Sequence, residues 1–105
     1  PRILAWEARV KGIGHGQRSE MTSAEAIAVA KAATATTADA TDPGEPNGLK
    51  AGEAVRVMAD DYGRDPIEGV LVSSSAHHVA IRRKSPEAGE VVTHFPRIGY
   101  IVLKA

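Results

Sequence analysis

Over the first thirteen positions the apolar residues Ile3, Trp6, Val10 and Ile13 recur at spacings of three and four. That is the period of an amphipathic helix, and Pro1 suits a first helical turn. Gly12, Gly14 and Gly16 make continuation costly and offer a stop with a left-handed cap. A second helix is expected over about 24–33, in "MTSAEAIAVAKAA", where Thr22 and Glu25 have the spacing of a capping box. Residues 34–48, "TATTADATDPGEPNG", carry no large apolar side chain and cannot bury enough to offset their ordering entropy. This stretch reads as a flexible linker between a helical segment, 1–33, and a domain spanning 49–105.

From Leu49 the pattern changes to alternation with period two. "EAVRVMAD" puts Val55 and Val57 on one face, and "PIEGVLVSSS" follows with Gly69 as an expected bend or bulge. "HHVAIRRK" and "EVVTHF" are joined by "SPEAG", which has hairpin-loop chemistry, and "FPRIG" leads into a last strand, "YIVLKA". Five short strands with tight turns suit closure into a small barrel, because closure removes exposed edges. A long first loop, three meandering strands and one tight turn before the last strand make the layout of an SH3-like barrel. The expected fold class is therefore α+β: short N-terminal helices, a flexible linker, then a five-stranded SH3-like β-barrel.

Composition narrows the chemistry. Lys and Arg together number 13, as do Asp and Glu, so no domain-wide field exists to hold a polyanion or an anionic membrane. The absence of cysteine removes disulfides, thiolate zinc sites and cysteine nucleophiles, and fits a reducing cytoplasm. No apolar run reaches the roughly 18–20 residues that span a bilayer.

Candidate sites are few. "ADDYGRDPIEG" concentrates Asp60, Asp61, Tyr62, Arg64 and Asp65 in the long first loop, and Tyr100 opens the last strand. An acidic loop there could meet a basic or proline-containing peptide, whose apolar turns need an aromatic groove. The domain supplies only Tyr62, Phe95 and Tyr100 for such a groove. The plain structural role is a turn held by aspartate side chains, with Asp65 before Pro66. Arg82, Arg83 and Lys84, with Arg97 and Lys104, form the one basic concentration, too small and too poor in aromatics to favour RNA. His77 and His78 point to opposite faces of a strand, and His94 can pair with either, which falls short of the three or four ligands of a zinc site. "GIGHG" follows a helix rather than a strand, so it reads as a helix stop and not a phosphate loop.

Pro1, Trp6, Arg9 and Val10, with four and then two residues between the first three, resemble the helix near the end of the all-helical domain of glutathione S-transferases. The following "IGHGQRSEMTSAEAIAVAKAA" and "GLKAGEAVRV", with "DDYGRDPIEGVLV" and "VVTHFPRIGYIV", resemble the C-terminal extension of a group of bacterial glutathione S-transferase-like proteins. The resemblance implies that the chain, which begins on Pro1 rather than methionine, is part of a longer cytoplasmic protein. It further implies that glutathione and the catalytic residue belong to a preceding thioredoxin-like domain, so this chain carries no catalytic residue, cofactor or metal. The implied role is docking on or regulating the transferase body, or contact with a homo-oligomer partner. The competing reading is an autonomous binding module for a peptide or, second, RNA. Cut from its helical domain, Trp6 is expected to be poorly buried.

Overall fold

Both helices form where the pattern places them. The structure is a computed structural model that describes residues 1–34 and 40–105. Helix α1 spans Arg2–Ile13 and helix α2 spans Ser23–Ala32. Gly14 ends α1 with φ 70° and ψ −159°, outside the left-handed helical region, so glycine tolerance rather than a left-handed cap makes the stop. Thr22 and Glu25 close the capping box: the Thr22 hydroxyl accepts the Glu25 N–H at 3.2 Å, and the Glu25 carboxylate accepts the Thr22 N–H at 2.7 Å. No side chain of α1 is buried among the described residues, and Trp6 is 58% exposed, as its reading required.

The five strands are β1 (Ala54–Ala59), β2 (Ile67–Ser74), β3 (His78–Ser85), β4 (Gly89–Pro96) and β5 (Tyr100–Lys104). All neighbouring strands are antiparallel, in the order β4-β3-β2-β1-β5. Among the described residues no ladder joins β4 to β5. The sheet is therefore open where a closed barrel was expected, because the two end strands do not exchange backbone hydrogen bonds. Period-two alternation holds in β1, where Val55 and Val57 are fully buried between exposed Ala54 and Arg56. They pack with Leu49, Leu71, Val79, Ile81, Phe95 and Val102 into one core on the inner face of the sheet. Ser85 and Gly89 face each other across the β3–β4 hairpin, and Gly89 takes φ 79° to close it.

Gly69 does not carry the bulge assigned to it; the register shift lies further along β2, between Leu71 and Ser73. The glycine serves close approach instead. A Cβ at position 69 would sit 2.6 Å from the Arg82 carbonyl oxygen on β3. Of the stretch read as a linker, residues 35–39 lie outside the described residues. Asp42–Gly48 is laid onto the sheet: the Asp42 N–H donates to the Ser74 carbonyl at 2.8 Å, and successive turns run from Asp42 to Glu45 and from Glu45 to Gly48.

Two measurements check this account. Gly69→Ala forces the β2 and β3 backbones apart, and the expected loss of about 1–3 kcal/mol should appear as a lower denaturation midpoint. The Glu25 carboxyl is held below its ordinary pKa, chiefly by the Thr22 N–H and then by the Thr22 hydroxyl. Its contribution is thus complete above the ordinary carboxylate pKa and lost as pH falls through the lowered value. Helicity followed by circular dichroism should fall in that acidic window in the wild type, whereas Glu25→Ala should start lower and lack that step.

Candidate functional site

Most of the candidate residues lie on an exposed surface. The β1–β2 loop, 60–66, and the turn between β4 and β5, 97–99, lie side by side because the Asp60 N–H donates to the Gly99 carbonyl at 3.0 Å. Arg64 folds back on its own loop, its Nη2 donating to the Asp60 carbonyl at 2.8 Å. An arginine, rather than an aspartate side chain, thus makes this loop's bond. Asp60, Asp61 and Asp65 are exposed. Tyr62 and Ile98 stand out in solvent at 94% and 91% exposure. Tyr100 is more covered, paired across the ladder with Ala59, and its ring lies 5.3 Å from the ring of Phe95. The fold brings Asp60, Arg64 and Tyr100 to one end of the sheet. The resulting surface sets exposed carboxylates beside exposed apolar side chains.

A separate buried polar cluster, centred on Glu45, was missed in reading the chain. Glu45 is buried, its side chain only 3% exposed, and that of Arg97 is 17% exposed. The Glu45 Oε2 accepts the N–H groups of Asn47 at 2.8 Å and Leu49 at 2.9 Å. Its Oε1 accepts Arg97 Nη1 at 3.3 Å and the Ser74 hydroxyl at 3.3 Å, while Arg97 Nη1 also donates to the Ser74 oxygen at 3.1 Å.

The β2 bulge creates this triad. Leu71 pairs with Ile81 on the core face, and beyond the register shift Ser74 pairs with Val79, which shares that face. One extra residue moves each later side chain to the opposite face, so Ser74 points inward where strict alternation would have turned it out. A signal for Glu45 did exist in "DPGEPNGL": these are turn formers, and the Asp42 side chain accepts the Gly44 N–H at 2.8 Å as turn chemistry requires.

The other candidates find partners. Arg82 reaches Glu90 at 3.8 Å, Arg83 donates to the Thr93 hydroxyl at 3.0 Å, and Lys104 pairs with Glu53 at 3.0 Å. Glu53 is held below its ordinary pKa first by the Lys50 N–H and then by the Lys104 ammonium. The basic concentration is thus largely committed within the sheet. His78 stacks on His94 with ring centroids 5.9 Å apart, and the Ser75 hydroxyl lies 3.2 Å from His78 Nδ1. Among the described residues no three metal-ligating side chains converge. A cavity of about 280 Å³ lies between Thr41 and Ala51, but the Glu45 and Asp42 carboxylates on its wall already accept backbone N–H groups. No helix among the described residues is long and apolar enough to cross a membrane.

Two helices followed by a five-stranded open antiparallel sheet define an α+β chain. No family model and no curated protein matches it. Among solved structures it is similar to a GST-like protein from Pseudomonas syringae, with 40% identity and a TM-score of 0.88. The match covers 97% of this chain and 37% of that one, so the chain spans little more than a third of the protein it resembles.

Replacing Arg97 with Ala leaves the Glu45 carboxylate buried without its cation. The expected loss is about 3–5 kcal/mol, read from denaturant unfolding. The double change Glu45→Gln with Arg97→Met should recover a large part of it, since no lone charge then remains inside.

Proposed function

We propose that this chain is the C-terminal part of a GST-like protein and serves as its non-catalytic docking domain. The observation that carries this reading is α1. Ile3, Leu4, Trp6, Val10 and Ile13 are all exposed on it, an apolar face that a solvated helix does not need. Similarity to just over a third of a GST-like protein supports a body on which that face could pack. On this reading the body binds glutathione and performs any transfer chemistry in the bacterial cytoplasm, while the sheet domain shapes the body's surface or contacts a second copy. The strand order and the tight turn before β5 support an SH3-like description of the sheet.

A second reading has one observation in its favour. The Asp60–Gly99 bond sets the acidic loop against the turn bearing Ile98, so a basic peptide with an apolar residue would find both features at one end of the sheet. RNA is disfavoured by the internal partners of the basic residues.

The test is to compare activity and oligomeric state of the longer protein with and without residues from Asp42 onward. Loss of activity or a change of assembly is expected; identical behaviour of both forms would remove the docking role. Trp6 supplies a second readout. Its emission should match hydrated indole in the 105-residue chain and shift to the blue in the longer protein.

A further inference from the structure

The Glu45 carboxylate holds two parts of the molecule at once. Through Oε2 it fixes the backbone of Asn47 and Leu49, where the chain enters the sheet domain. Through Oε1 it fixes Ser74 and Arg97. Arg97 opens the β4–β5 turn. Its N–H donates to the His77 carbonyl at 3.0 Å and its carbonyl accepts the Tyr100 N–H at 3.4 Å. Two residues on, Gly99 receives the Asp60 N–H, and the Asp60 carbonyl receives Arg64. Hydrogen bonds and one short turn therefore connect the entering segment to the acidic loop without a break.

We propose that this connection is a coupling device in which the seating of Glu45 and the ordering of loop 60–66 are a single event. A carboxylate with four donors inside the protein has no stable halfway position: it keeps its partners or leaves for water. When it leaves, Arg97 loses the anion that anchors its side chain, and the turn that presents the Gly99 carbonyl to Asp60 loses its hold. Displacing the entering segment thus frees the loop that carries Asp61 and Tyr62. Linkage makes the effect reciprocal, so a partner that grips the loop tightens the entering segment. The device lies wholly within the sheet domain and its entering segment, so it stands or falls independently of any transferase body.

Amide hydrogen exchange on the full 105-residue chain tests it from both ends. Arg64→Ala removes an exposed side chain far along the sequence from Glu45 and leaves the core intact. The Asn47 and Leu49 amides should then exchange at least about fivefold faster, the lower end of ordinary coupling between sites. In Glu45→Gln the Asp60 amide should gain at least a similar factor. The amides of the β2–β3 ladder should keep their wild-type rates in both variants. Unchanged Asn47 and Leu49 protection in Arg64→Ala would overturn the proposal. So would a protected Asp60 amide in a folded Glu45→Gln variant that has lost protection at Asn47 and Leu49, or a uniform rise across the sheet. Should Glu45→Gln not fold, the Arg64→Ala arm decides alone.

Discussion

A carboxylate buried beside an arginine governs how this sheet domain is put together. Ionised groups leave water only when partners replace it, and Glu45 has four: two backbone N–H groups, a hydroxyl and a guanidinium. The four partners come from three stages of the chain. Asn47 and Leu49 belong to the entering segment, Ser74 ends β2, and Arg97 opens the turn into β5. Satisfying one side chain thus draws the entry, the middle and the exit of the domain together. Leu49, whose N–H is among the donors, enters the apolar core in the same movement.

The sheet supplies what the cluster needs through two local departures from regularity. At Gly69 the missing side chain lets β2 lie close against the Arg82 carbonyl. Beyond it the β2 bulge turns Ser74 to the inner face, toward Glu45. Regular alternation would have turned Ser74 outward; with the bulge it is the Ser74 hydroxyl that bridges Arg97 and Glu45. A small core built largely from valine, leucine and isoleucine side chains does the remaining work of burial.

The two helices obey another logic. At 12 and 10 residues they are near or below the length at which isolated helices persist in water. The capping box supports α2, whereas α1 has no side-chain cap and displays an apolar face to solvent. A helix of that length and pattern is marginal in water without packing, and no α1 side chain is buried among the described residues. The sheet, by contrast, carries its own core.

Much of this was legible in the residues. Periods of 3.6 and 2 located both helices and all five strands, because side-chain direction repeats with the backbone. The same patterns identified Val55 and Val57 as inward and the Thr22–Glu25 cap, while the poor burial of Trp6 was expected only from the family resemblance. The acidic loop, too, could be named, since Asp60 to Asp65 are contiguous. Local pattern could not tell that Gly69 marks close approach rather than a bulge, or that the end strands stay unpaired. The turn formers around Glu45 marked its local turns, but not its burial, because its side-chain partners Ser74 and Arg97 lie 29 and 52 positions away. The sequence by itself determined the elements and their faces, which depend on near neighbours. Only the tertiary structure decided which turn, bulge and carboxylate meet, because those contacts form only when distant strands fall into register.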